Sequence, residues 1–330
     1  MFFGEIKTEL SEGALLSSSF ILYDEINNTK ISKGTKIDKK IIKLLLKNNI
    51  NQVMCAKLDK EDVDENTSAK LISKALIDKS SPTMSISNPG QGRCNIVAEI
   101  NGLLKYNPNK LYKINAINND VGIAALKPLR IVKKKQIIAT TKIIPFAINK
   151  LIIERIQKHS EHCFEILPFL NKKVHLIQTQ NEKTLKKVLD KTLLVTERRL
   201  LECQITSLIE KRCAHNVNNL SEKINESVKE NADIILVFGA SAICDKNDIV
   251  PLSLKKNNGK IIRLGMPVEP GNLMLLGKID HNNKIIFVLG MPGCARSQKE
   301  NGVDWILWRL LCGLDISNRD INDMGTGGLL

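Results

Sequence analysis

The chain has 330 residues, of which 43% are hydrophobic and 25% charged, so it is long enough for two or three domains and apolar enough to bury a core. No apolar run nears the ~20 residues that span a bilayer, and Met1-Phe2-Phe3 leads straight into Gly4-Glu5 without the basic and apolar regions of a secretory signal. Eight cysteines without a C-x-x-C pair argue against a zinc ribbon or a disulfide framework, and a soluble cytoplasmic protein is expected. The net charge of +14 is spread, with 26 basic against 17 acidic residues up to residue 170 and 23 against 18 after it. Most of the excess is lysine, and aromatic residues make up only 4%, too few for base stacking, so nucleic acid is not the expected partner.

The first 58 residues read as short strands around one helix, Thr35 to Asn48, with Asp38 as its cap and a strand from Ile50 to Lys57. A charged boundary at 59–70 divides this region. A helix from Ala69 to Asp78 follows, then a loop from Ser80 to Gly92 rich in Ser, Pro and Gly. Residues 95–104 read as a helix, with strands near Ile131-Val132 and from Gln136 to Ile144. Residues 1–150 thus form an N-terminal mixed α+β region, and helix 149–159 lies in a linker at 151–170. From 171 the pattern alternates: strand Val174–Gln178, helix Thr184–Glu202, strand Gln204–Ile209, helix Val217–Glu230 and the continuous apolar strand Asp233–Phe238. Helix 248–257, strands Lys260–Leu264, Leu273–Leu276 and Lys284–Leu289, and helix Gln298–Leu311 complete it, with 321–330 as a tail. Such alternation predicts an α/β domain over 171–320 with a doubly wound, mostly parallel sheet and ligands beyond the carboxyl ends of its strands.

Three loops fall at those ends: Gln178 to Glu182, Gly239 to Pro251, and Gly290 to Ser297. Their small residues let backbone approach a ligand, and Asp245 with Asp248 could hold a hydrated Mg²⁺ beside a phosphate. The alternative is that Gly239 and Gly290 only make turns and Asp248 only caps a helix. Cys294, in a Pro-Gly-Cys turn, is either a thiol of lowered pKa or a small packed residue. His159 and His162 are either a metal pair at i,i+3 spacing or a solvated helix end. A G-x-x-x-x-G-K-[ST] loop, a strand leading into G-x-G-x-x-G, a G-x-S-x-G elbow and an H-E-x-x-H pair are all missing, and Gly325-Thr326-Gly327-Gly328 has no helix after it.

The blocks GASAICDKNDIVP (239–251), MPVEPGNLMLLGKID (266–280) and KIIFVLGMPGCARS (284–297) resemble the molybdopterin-binding domain shared by molybdopterin molybdotransferases and adenylyltransferases. In molybdotransferases the corresponding loops read GGVSVGD, PGKP and GLPGNPVS, in the same order. Residues 31–58, 92–104, 140–150 and 188–200 are similar to a bacterial molybdopterin-binding protein often fused to a molybdenum cofactor nucleotidyltransferase. The resemblance implies molybdopterin or its adenylate as ligand, molybdate and Mg²⁺ as further requirements, and Asp245 and Glu182 as catalytic carboxylates, with Asp245 also on the metal. It places Thr179, Gly239, Ala240, Ser241, Asp248, Pro270, Gly271, Asn272, Pro292, Gly293 and Ser297 around the cofactor. Such a protein either inserts molybdate or carries the cofactor to a separate nucleotidyltransferase, and a homo-oligomer is expected. The chain departs from the motif at Asn272 and Leu273, where the lysine and second proline of PGKP would stand, at Gln180-Asn181 in place of Gly-Asp, and at Cys294-Ala295.

Overall fold

The computed structural model describes residues 1–23, 28–77 and 82–330. Asp78, the end of the second predicted helix, and Ser80-Ser81, the start of the loop after it, lie outside the described residues. The chain divides into two compact units, 1–100 with 104–166, and 101–103 with 167–330.

The first unit holds small antiparallel sheets. Phe2–Lys7 and Leu15–Leu16 flank Gln52–Lys57, and helix Lys39–Lys47 closes a core of Leu16, Leu22, Ile37, Leu45 and Val53. Asp38 caps that helix by accepting from the Ile41 N–H at 2.8 Å. A second sheet runs Val121–Ala125, Ile137–Ile143, Arg93–Ala98, Met84–Ile86, with helix Glu65–Leu76 packed on it. The helix expected at 95–104 is instead two strands, Arg93–Ala98 and Gly102–Lys105. Cys94, Ile96 and Ala98 are buried and alternate with less buried neighbours, a period of two that the i, i+4, i+7 spacing of Ile96, Ile100 and Leu103 conceals. A helix begins inside the charged stretch at 59–70, ahead of the expected start at Ala69. Asp64 accepts from the Asn66 and Thr67 N–H groups, both at 3.0 Å, and starts the helix at Glu65. Helix Lys150–Ser160 packs within this unit, against Glu65–Leu76.

The second unit is an α/β layer structure. Its elements, numbered within the unit, are β1 (Val174–Gln180), α1 (Lys186–Glu202), β2 (Leu208–Ala214), α2 (Val217–Lys229), β3 (Ile234–Phe238), α3 (Ile249–Lys256), β4 (Lys260–Leu264), β5 (Leu275–His281), β6 (Lys284–Met291), α4 (Gly302–Leu311) and α5 (Asn318–Asp323). The sheet order is β2-β1-β3-β6-β5-β4. The first four strands are parallel; β5 and β4 are antiparallel to their neighbours, so the sheet is mixed. Every residue of β3 is buried, as a central strand covered on both faces must be. Ile177, Ile235, Val237 and Val288 pack against Leu220, Ile224, Val250 and Leu254 of α2 and α3. On the opposite face the Gln178 amide donates to the Leu189 carbonyl of α1 at 2.9 Å.

Several boundaries differ from the sequence reading: the strand expected at Leu273–Leu276 is Leu275–His281, and the strand expected to end at Ile209 runs to Ala214. β2 begins at Leu208 rather than Gln204, because Gln204 has a φ of 60° and belongs to the turn that ends α1. α4 begins at Gly302 rather than Gln298, where Asn301 and Asp304 form a capping box. The terminal segment is structured: α5 enters it, and the Gly328 carbonyl accepts from the Glu269 N–H at 2.8 Å.

His175 in β1 is fully buried, and neither ring nitrogen has a hydrogen-bond partner among the described residues. Burial pushes its pKa down to about 4, although the Glu230 carboxylate 3.8 Å away pulls the other way. The unfolded chain therefore takes up a proton near pH 6.5 that the fold refuses until about pH 4. Stability should fall as pH drops through that window, by at most about 1.4 kcal/mol per pH unit from this residue. Urea unfolding of His175→Leu between pH 4 and 7.5 should show a shallower loss than the parent; parallel curves would contradict the assignment.

Candidate anion-binding cleft

A cleft of about 420 Å³ opens where β1, β3 and β6 end, lined among others by Asn181, Lys183, Gly239, Ser241, Met291 and Arg296. The strand order explains its position. The chain leaves β1 for β2 on one side, then returns past β1 to β3 on the other, and the loops after β1 and β3 part at that switch. Gly239 lets the loop after β3 fold back: a methyl group there would stand 2.6 Å from the Ser241 carbonyl oxygen.

One wall is Arg296, in a single 3₁₀ turn after β6. Its guanidinium donates to Thr192 Oγ1 at 2.6 Å and to the Gly239 carbonyl at 3.0 Å, and lies 4.8 Å from the centre of the Phe238 ring. Among the described residues no carboxylate pairs with it, and burial alone lowers its pKa. Arginine does not give up its proton under these conditions, so a half-buried positive charge faces the cleft with Lys183 nearby. Behind it, the buried Arg199 donates to the Ala295 and Ser297 carbonyls at 3.0 and 2.9 Å and to Asp304 at the start of α4. Arg199 thereby ties the Arg296 turn to α1 and α4.

The other wall holds a chain of hydrogen bonds. Thr179, buried at the end of β1, accepts from the Ala240 N–H at 2.9 Å and lies 2.8 Å from His215 Nδ1; His215 Nε2 lies 2.9 Å from Ser241 Oγ. His215 follows β2, its own N–H donating to the Gln180 carbonyl at 2.8 Å. Burial lowers its pKa, with the Asp248 charge opposing, so the imidazole is neutral at pH 7.

Of the residues expected around a cofactor, Gly239, Ala240, Ser241 and Gly293 line the cleft, and Thr179 sits directly beneath Ala240. Pro292 is buried at the start of the Arg296 turn, and Ser297, at its end, is exposed. Pro270 and Gly271 pack elsewhere, on the start of α4, where the Pro270 carbonyl accepts from the Gly302 N–H at 2.8 Å, and the carbonyl of the exposed Asn272 accepts from the Met266 N–H at 3.0 Å. Gly271 has a φ of 133°, and a methyl there would meet Gly302 N at 2.5 Å. Asp245 and Glu182 are exposed and outside the lining. Asp245 accepts from the Asn247 N–H at 2.8 Å; Asp248 caps α3 through the Ile249 N–H at 2.7 Å and also accepts from the Cys244 N–H. Among the described residues no three His, Cys, Asp or Glu side chains converge to hold a metal, so the donor set does not form a protein-only Mg²⁺ site. His159 donates through Nδ1 to the Arg155 carbonyl, as a helix-end histidine does. The Cys294 thiol is not lowered: burial pushes its pKa up, and the Glu269 charge adds to that.

Asp248→Asn should lower stability by about 1 kcal/mol or less, since asparagine caps nearly as well, whereas Asp248→Ala should cost about 1–2 kcal/mol. Thermal melts of the two variants check this; equal losses would mean the cap is not what Asp248 contributes.

Fold and site together define a mixed-sheet α/β unit with a positively charged cleft at its topological switch point. No family model matches the sequence, and no curated protein does. Among solved structures, the chain is similar to the tungsten cofactor synthesizing protein MoaB from Pyrococcus furiosus, at 14% identity over 43% of this chain and 89% of that one, with a TM-score of 0.28. It is also similar to a molybdenum cofactor biosynthesis protein from Corynebacterium diphtheriae, at 14% identity over 44% of this chain and 100% of that one, with a TM-score of 0.29.

Proposed function

We propose that the second unit binds molybdopterin or its adenylate in molybdenum cofactor biosynthesis, with the ligand's phosphate drawn to Arg296. The observation that carries this reading is the unneutralised Arg296 guanidinium at the cleft wall, inside the block that resembles GLPGNPVS. A desolvated cation without a carboxylate partner is costly, and a bound phosphate offsets that cost through charge-assisted, bidentate hydrogen bonds. Lys183 and Asn181 supply further donors in the same cleft.

Between inserting molybdate and carrying the cofactor, the exposed positions of Asp245 and Glu182 outside the lining favour the carrier, delivering its ligand to a nucleotidyltransferase. The test pairs two assays on the full chain: pterin binding by fluorescence titration, and molybdate-dependent activation of an apo molybdoenzyme. Asp245→Asn is expected to leave binding within about twofold of the parent, and neither protein should add molybdate-dependent activation. Activation by the parent that Asp245→Asn depresses by ~10² with binding intact would establish the transferase role instead.

A further inference from the structure

The cleft holds a second chemical resource that anion binding does not use. Ser241 Oγ, His215 Nε2 and Nδ1, and Thr179 Oγ1 are linked at 2.9 and 2.8 Å. These are the distances and the order of a hydroxyl nucleophile, a base and a group that orients the base. Ser241 is exposed to the cleft, His215 half-buried and Thr179 fully buried, so the chain of bonds runs from ligand space into rigid sheet. Thr179 accepts from the Ala240 N–H, and its hydroxyl can donate to the Phe238 carbonyl at 3.4 Å. In that arrangement His215 carries its proton on Nδ1, donated to Thr179, and presents a bare Nε2 to the Ser241 hydroxyl. The backbone N–H groups of Ser241 and Ala242 have no acceptor among the described residues and are free to receive a developing negative charge.

We propose that Ser241, His215 and Thr179 act as nucleophile, general base and orienting group in hydrolysis of a phosphoanhydride bond of an anionic ligand held in this cleft. Ser241 Oγ forms a bond to phosphorus as the bridging P–O bond breaks, and the serine proton passes to Nε2 of His215. The imidazolium donates through Nδ1 to Thr179 and is stabilised by the charge of Asp248, which caps α3 and acts on this ring. It gives its Nε2 proton to the departing phosphate oxygen, beside Arg296 and Lys183. Neutral again, His215 takes a proton from water as that water attacks the phosphoserine; the Ser–O–P bond breaks and the proton returns to Ser241 Oγ. The net reaction consumes one water and needs no redox partner. The inference rests on the charge and geometry of the cleft and not on the identity of the pterin.

The experiment treats the full chain with a fluorophosphonate, in which the serine oxygen displaces fluoride from phosphorus, and locates the adduct by peptide mass spectrometry. Ser241 should be labelled in the parent, and Ser241→Ala should abolish the adduct. His215→Gln should slow labelling by about 10²-fold or more. Thr179→Val should slow it less and move the pH midpoint of the labelling rate, which a purely structural threonine would not do. An unlabelled Ser241 in the folded parent, or labelling at the parent's rate in His215→Gln, overturns the proposal. If His215→Gln does not fold, the parent's pH profile decides: a rate rising as His215 loses its proton supports the proposal, and a flat profile between pH 4 and 8 overturns it. Pterin titration of the parent runs alongside, so pterin binding without labelling removes only this inference, and labelling without pterin binding removes only the functional reading.

Discussion

Replacing Arg296 with alanine is expected to weaken binding of a phosphorylated pterin by about 10²-fold or more, close to 3 kcal/mol. The guanidinium loses little by being removed from the free protein. Its bonds are to one hydroxyl and one carbonyl, and burial already disfavours its charge. The melting temperature of Arg296→Ala should therefore stay within a few degrees of the parent, which separates loss of a ligand contact from loss of the fold. Arg296→Lys keeps the charge but not the fork, so it should recover only part of the affinity. Affinity that is unchanged in Arg296→Ala, measured by titration at low and physiological salt, would put the phosphate somewhere else.

Arg199→Met is expected to have the opposite profile, a loss of about 3–5 kcal/mol of stability. Arg199 and Asp304 are both nearly inaccessible and paired with each other, and Arg199 also satisfies the Ala295 and Ser297 carbonyls. Removing the arginine strands a buried carboxylate whose pKa burial already raises, with Arg199 the main opposing influence. The double variant Arg199→Met, Asp304→Asn should recover part of the loss, because asparagine keeps an acceptor and donor at the α4 capping box without a buried charge. Urea unfolding of the single and double variants gives the coupling; additive losses would show that the two side chains act independently.

These residues mark where local pattern stops being informative. The continuous apolar run 233–238, the alternation of strands and helices after 171, and the three small-residue loops at strand ends are local signals, and the structure places β3, the mixed sheet and the cleft accordingly. Arg199 and Asp304 are 105 positions apart, and nothing in either neighbourhood indicates a partner. His215 carries no local signal, because Gln204–Ile209 reads as the whole strand and leaves the histidine in a connection, whereas β2 runs to Ala214 and puts His215 just past its carboxyl end. Arg296 lies in one of these loops, but its significance lies in the absence, among the described residues, of a paired carboxylate, which only three-dimensional packing reveals. The strand Arg93–Ala98 reads as helix from sequence because short apolar segments satisfy helical and extended periods equally well. Pro270–Gly271–Asn272 belonged to a recognisable motif, yet close packing of Gly271 on Gly302 holds that loop at the start of α4.

Whether the switch-point cleft seats a phosphorylated pterin is tested by a crystal structure of the full chain grown with molybdopterin. Ligand density is expected between the loops after β1, β3 and β6, with phosphate oxygens within hydrogen-bond distance of the Arg296 guanidinium. Density for the pterin at any other place on the second unit, with Arg296 still bonded only to Thr192 and Gly239, would contradict it.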